Sequence, residues 1–261
     1  MQIHEFTTRK IEGRKISMVT CYDSWSAKII SESDIDCVLV GDSLAMVMHG
    51  HTTTLPATVQ MMALHTAAVA RGLKGKFLVA DLPFLSYRKT LSENMSAVDE
   101  VMKAGAQAVK LEGAAGNLEL IRHLVDSGVP VMGHLGLTPQ SIHQLGGFKV
   151  QGKGKEQFDR ILNEAHQLEK AGCFSLVLEC VPKQLAHEIT SSLKIPTIGI
   201  GADLDCDGQV LVLQDMLGLQ TEFKPKFLRQ YLNGFELVQK ALNHFHLDVV
   251  ERNFPEEKES Y

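Results

Sequence analysis

Apolar residues along the chain gather in short runs that alternate with longer segments of helical period. The runs are ISMVTCYD (16–23), DCVLVGDS (36–43), KFLVADLP (76–83), QAVKLEG (107–113), VPVMGHLG (129–136), FSLVLECV (174–181), IPTIGIG (195–201) and GQVLVLQD (208–215). Short runs of this kind, rich in branched residues and bounded by Gly, Pro or Asp, predict strands. Between them SWSAKIISESD and ATVQMMALHTAAVARGL repeat their apolar positions with helical spacing. NLELIRHLVDSG and GKEQFDRILNEAHQLEKAG do the same and stop on Gly128 and Gly172, as helices often do. A last helix is expected over roughly FLRQYLNGFELVQKALNHF (227–245), followed by an acidic tail from about 250 to 261 that reads as solvated and frayed.

Strands apolar on both faces and separated by helices belong in a parallel sheet covered on each side. Eight such units in 261 residues favour a closed (β/α)8 TIM barrel of the α/β class over an open doubly wound sheet. The open sheet also predicts a glycine-rich turn after its first strand, and here that turn reads TCYDSWS. With no linker or shift in composition, the expectation is a single domain over 1–261, preceded by an N-terminal segment, 1–15, outside the repeating pattern.

Composition adds exclusions. An apolar fraction of 44% and a charged fraction of 22% are ordinary for a globular protein, and a core of this size needs no disulfides. The five cysteines form no C-x-x-C pair, which points to buried thiols in a reducing compartment, with the cytoplasm as the expected location. The start of the chain lacks the apolar stretch of a signal peptide, and no run approaches a bilayer's thickness, so no membrane association is expected. A net charge of −5 without a basic, aromatic-laced cluster argues against nucleic acid as a partner.

Chemistry in such a barrel sits where strands end and βα loops begin. The second run ends at Asp42, the third at Asp81, the fourth at Glu112 and the sixth at Glu179. The two-residue period of a strand puts Val40 with Asp42, Val79 with Asp81, Lys110 with Glu112 and Val177 with Glu179, so all four acids are expected to face one mouth. Crowded carboxylates repel, and burying one unpaired is costly. A divalent cation resolves the conflict, and an all-oxygen donor set suits Mg2+.

Each residue also has a plainer reading. Asp42 is equally a helix cap, Asp81 a turn former, and Glu112 with Lys110 a structural ion pair. Glu179, in VLECVP, has apolar neighbours and no cap to make, so it is either paired or raised in pKa, as a general base requires. His134 ends the fifth run and borders the same mouth, with site and structural roles evenly balanced. Ser43 either binds a substrate carboxylate or caps a turn, and its spacing slightly favours the cap. His49 and His51 are spaced like a metal pair, but their threonine-rich loop supplies no cysteine. A loop that closes over substrate fits them better than zinc, and a structural loop fits better still.

With these motifs in view, the chain resembles the ketopantoate hydroxymethyltransferase family. The matching blocks are TCYDSWSA, VGDSLAMVMHGHTTTLP, ADLPFLSY, AVKLEG, GHLGLTPQS, LVLECVP, IPTIGIGA and DGQVLVLQDMLGL, in order from about 16 to 219. The resemblance implies a (β/α)8 barrel and places Asp42, Asp81 and Glu112 at a Mg2+ site. It places Asp42, Ser43, Asp81 and Lys110 against a keto acid, and makes Glu179 the proton acceptor. It further implies transfer of a one-carbon unit from 5,10-methylenetetrahydrofolate to 3-methyl-2-oxobutanoate, and assembly as a homodecamer. Two loops depart from the family pattern: LEGAAGN lacks a further glycine, and GIGADLDCDG carries Asp203 where a glycine is usual.

Other classes remain to be weighed. A Mg2+-dependent keto-acid lyase or mutase of the phosphoenolpyruvate mutase and isocitrate lyase kind would use similar acids, but its customary cysteine in a glycine-rich loop is missing. A Schiff-base aldolase would need Lys110 deprotonated, whereas Glu112 on its face would hold it charged. GIGADLDCDG has three aspartates and no Lys or Arg, which disfavours a phosphorylated substrate. A barrel that only binds ligand has little use for four acids and a lysine at one mouth.

Overall fold

The computed structural model describes residues 1–220 and 224–261 and divides into two compact units, Met1–Leu211 and Val212–Tyr261. The first unit holds eight parallel strands: β1 (Ile16–Thr20), β2 (Cys37–Val40), β3 (Phe77–Asp81), β4 (Ala108–Glu112), β5 (Val131–Gly136), β6 (Ser175–Glu179), β7 (Thr197–Ile200) and β8 (Gly208–Leu211). They pair in sequence order, and β8 returns to β1 with Ile16 opposite Gly208, closing the barrel.

The helices of this unit are α1 (Ile3–Ile11), α2 (Ser24–Ser31), α3 (Leu44–Val47), α4 (Val59–Gly72), α5 (Leu91–Lys103), α6 (Leu118–Asp126), α7 (Ile142–Leu145), α8 (Lys155–Ala171) and α9 (Lys183–Ser192). Their ends are chemically set. Asp23 accepts from the Ser26 N–H at the start of α2, Thr58 from Met61 at α4, and Thr90 forms a capping box with Glu93 at α5. Gly172 closes α8 in the left-handed region at φ 104°. The expected strands extend past the observed ones at their C-terminal ends, because the apolar runs continue into the βα loops.

Inside the barrel the two-residue period holds. Ile16 and Met18, Cys37 and Leu39, Phe77 and Val79, Ala108, Met132, Val177, Ile198 and Val210 form one apolar cluster. Phe6 of α1 is fully buried in it, its ring edge-on to Phe77 at 5.4 Å and to Phe174 at 5.0 Å. The next inward positions towards the strand ends are Asp81, Lys110, Glu112, His134 and Glu179. The interior therefore passes from hydrocarbon to charge along the same alternation.

Strand β2 breaks the expected register. Leu39 and Cys37, not Val40, belong to the interior cluster, and the strand ends at Val40. A tight turn through Gly41 delivers Asp42 instead. A Cβ at Gly41 would lie 2.9 Å from Ser43 Oγ and would push that hydroxyl away from the Tyr22 hydroxyl it pairs with.

In the second unit the expected strand over 208–215 gives way after Leu211 to a helical turn, α10 (Leu213–Met216). The final helix, α11 (Gly234–Val250), begins later and ends later than expected. Gly234 donates its N–H to Leu217 O, and a Cβ there would stand 2.5 Å from that oxygen, which fixes the helix start. Along α11, Phe235, Leu237, Val238, Leu242, Phe245, Leu247, Val249 and Val250 are exposed, and the tail from Glu251 is exposed throughout. Among the described residues no helix is long and apolar enough to cross a membrane.

Candidate active site

The four predicted acids and Lys110 meet at the C-terminal mouth of the barrel. Lys110 Nζ lies 2.9 Å from Asp81 Oδ1 and 3.2 Å from His134 Nδ1. Asp81 Oδ2 accepts the Asp42 backbone N–H at 3.0 Å. His134 Nδ1 is 3.6 Å from Glu112 Oε1, and its Nε2 is 3.3 Å from Glu179 Oε2. An ammonium only donates, so Nδ1 of His134 accepts from Lys110. The neutral ring then carries its proton on Nε2, facing Glu179.

Burial and Lys110 both push the His134 pKa well below its ordinary value, which keeps the ring neutral. Burial raises Asp42, with Asp81 adding to the effect and Lys110 opposing it. Glu112 is likewise raised by burial and by Asp42. Burial lifts Glu179 to about 7, partly offset by Lys110. At 17% accessibility its side chain is the most exposed of the four acids. Burial pulls on the Lys110 ammonium in the other direction, but Asp81, Glu112 and Asp42 outweigh it and the pKa ends above normal. Lys110 is thus a fixed cation, which removes the free amine that a Schiff base needs.

The alternative structural roles resolve individually. Asp42 does not cap α3; its Oδ2 accepts from the Gln140 side chain at 2.9 Å. Ser43 occupies the position before α3 yet makes no cap bond there, contrary to the slight preference of its spacing. Its Oγ instead pairs with the Tyr22 hydroxyl at 2.8 Å. Lys110 forms its ion pair with Asp81 on the neighbouring strand rather than with Glu112 on its own. His49 does not pair with His51; its Nε2 meets Nε2 of His65 at 3.0 Å, and His65 donates through Nδ1 to Tyr22 O. The pair braces the loop after β2 against α4.

Sequence reasoning missed Gln140 and Tyr87. Gln140 sits in a 3-10 turn (Pro139–Ser141) after β5, and its backbone N–H donates to Glu112 Oε2 at 3.1 Å. The Tyr87 hydroxyl donates to Gln140 Oε1 at 2.7 Å. The only signal available was a Thr-Pro-Gln turn placed after a strand that ends at the mouth.

Among the described residues no group of three or more His, Cys, Asp or Glu forms a ready cage for a metal. The donor chemistry nonetheless fits a hard cation. Four carboxylates share the Lys110 ammonium beside a neutral histidine, and Asp81 Oδ1 is buried without an aligned hydrogen bond. Mg2+ takes one or two carboxylates and completes its shell with water and substrate, so a closed protein cage is not required.

Residues 1–257 match the family model described as ketopantoate hydroxymethyltransferase. A relative from Bdellovibrio bacteriovorus, named 3-methyl-2-oxobutanoate hydroxymethyltransferase, is 65% identical over 259 residues, 99% of this chain and 98% of its own. Among solved structures, a phosphonopyruvate hydrolase in complex with oxalate and Mg2+ superposes with a TM-score of 0.64 at 11% identity, over 99% of this chain and 93% of its own. A 2,3-dimethylmalate lyase of the phosphoenolpyruvate mutase and isocitrate lyase superfamily gives 0.59 at 11% identity, over 97% and 87%. These two structures share the fold.

Proposed function

The chain belongs to the ketopantoate hydroxymethyltransferase family, and we propose that it transfers a one-carbon unit from 5,10-methylenetetrahydrofolate to 3-methyl-2-oxobutanoate, giving 2-dehydropantoate. Asp42, Asp81 and Glu112 would hold Mg2+, which supplies Lewis acidity towards the substrate's ketone when bound. Oxalate, carried with Mg2+ by the structurally similar hydrolase, is a two-oxygen chelator like an α-keto acid, and supports this choice of ion.

Lys110 gives the mouth a permanent positive charge for the substrate carboxylate, with the Ser43 hydroxyl as a second donor. Asp42 and Asp81 border the same position. Glu179 removes the proton from C3 of the keto acid. The observation that carries this assignment is a reachable carboxylate at the end of β6 whose pKa burial has lifted to about 7, near the value at which a base works best in neutral solution. The charge left on the substrate is met by the Lys110 side of the site. Water hydrolyses the methylene group from the folate, breaking both of its C–N bonds and releasing tetrahydrofolate. The C3 carbon attacks the formaldehyde so formed, whose oxygen takes up a proton as the product's hydroxyl.

The lyase or mutase reading has weaker support. Cys180, the thiol beside Glu179, is pushed up to about 12 by burial and by that carboxylate, so it is a poor acid or nucleophile at neutral pH. Turnover of 3-methyl-2-oxobutanoate with methylenetetrahydrofolate tests the proposal directly. Product is expected with Mg2+ and none with EDTA; cleavage of a larger keto acid instead would overturn it.

The exposed apolar residues of α11 support assembly with further copies of this chain, and the family resemblance implies that the assembly is a homodecamer. All five cysteines are free, which suits a reducing cytoplasm.

A further inference from the structure

The side chain of Gln140 is buried, at 5% exposure, and each of its polar atoms has a partner. Its Nε2 donates to Asp42 Oδ2 at 2.9 Å and to Leu82 O at 3.0 Å, while Oε1 accepts from the Tyr87 hydroxyl. Its backbone N–H holds Glu112 Oε2 at 3.1 Å, and the Tyr87 oxygen in turn accepts the Glu112 N–H at 3.3 Å. The amide cannot be reversed, because that would set its carbonyl against the Asp42 carboxylate and the Leu82 carbonyl together. One residue from the loop after β5 therefore fixes carboxylates delivered by β2 and β4.

This arrangement spends one oxygen of each acid. Among the described residues no hydrogen-bond donor claims Asp42 Oδ1 or Glu112 Oε1, so each carboxylate presents a single oxygen to a cation. Turning either acid to chelate through both oxygens would make the oxygen held by Gln140 share its lone pairs with the cation and tilt the carboxylate out of line with its donor, weakening a buried hydrogen bond. Single-oxygen ligation suits the small octahedral shell of Mg2+, whereas two-oxygen chelation fills the larger, more flexible shell of Ca2+. We infer that Gln140 sets the cation preference of the site, holding Asp42 and Glu112 to one oxygen each and so favouring Mg2+ over Ca2+. The inference rests on the reading that these acids bind a divalent cation, and it makes Gln140 a positioning residue.

The test measures Mg2+ and Ca2+ affinity of the full chain without substrate, by competition against Mn2+ with free Mn2+ read by paramagnetic resonance. Wild type should prefer Mg2+. Gln140→Met, which keeps the volume and loses the amide, should bind Mg2+ about 10-fold more weakly while Ca2+ affinity holds or rises. If Gln140 merely braces the loops, both affinities fall together, and an unchanged Mg2+/Ca2+ ratio overturns the inference. Should Gln140→Met fail to melt cooperatively, Tyr87→Phe decides, since it removes the hydroxyl that anchors Gln140 Oε1 and so slackens the hold of the amide on Asp42. Its ratio should move the same way, and an unmoved ratio overturns the inference. A wild-type protein that binds neither ion would overturn the metal reading itself, a result distinct from binding with unaltered preference.

Discussion

Lys110 and Glu179 divide the work of the mouth by their opposite responses to burial. The lysine gains enough from Asp81, Glu112 and Asp42 to stay charged, whereas Glu179 is lifted to about 7. Removing the ammonium by Lys110→Met strands buried carboxylates. It should cost about 3–5 kcal/mol of folding stability, read by urea denaturation at pH 8, with the loss shrinking as the acids protonate at lower pH. A base works only when ionised, so kcat/KM should climb as pH rises towards about 7 and level off above it. A rate independent of pH between 5 and 9 would remove Glu179 from the base role.

At the scale of elements, the strands and helices α2, α4, α6 and α8 are readable because each buries an apolar face with its own period, whereas α5 and α9 are not among the helices expected from the sequence. The charged end of the barrel was readable for a related reason: acids set into apolar runs at strand ends must have partners. Asp42 was found by this rule for the wrong geometric cause, since the turn at Gly41, rather than the register of β2, turns it inward. Gln140 and Tyr87 stayed hidden because loop glutamines and tyrosines are common, and their value arises only when the loops after β3 and β5 close on each other. Helix α1 was invisible because Phe6 is its sole buried residue in an otherwise polar segment. That residue nevertheless closes the end of the barrel opposite the site. Phe6→Ala should cost about 3–5 kcal/mol in a denaturant melt while leaving the kcat of the surviving folded enzyme near wild type.

At the scale of the whole molecule, the acid cluster ties stability to pH and to cations. Folded-state pKa values raised above those of the unfolded chain mean that the native state holds protons longer. Stability from Asp42 and Glu179 is therefore fullest below their unfolded values and is lost as pH rises through about 7. Glu112, raised well above its ordinary value by burial, acts in the same direction. Mg2+ would replace the missing positive charge, so the rise in Tm on adding it should be larger at pH 8 than at pH 6, by scanning calorimetry. The apolar face of α11 belongs to the same scale. Light scattering should show a mass several times the 28.8 kDa of one chain, and Leu242→Asp should lower it.

The most direct measurement is loss of the C3 proton from 3-methyl-2-oxobutanoate in D2O, followed by NMR without folate. Wild type with Mg2+ should exchange it rapidly, EDTA should stop the exchange, and Glu179→Gln should slow it by about 100-fold or more while Mg2+ still binds. Exchange at the wild-type rate in that variant, or in wild type stripped of metal, would contradict a cation-assisted proton transfer to Glu179.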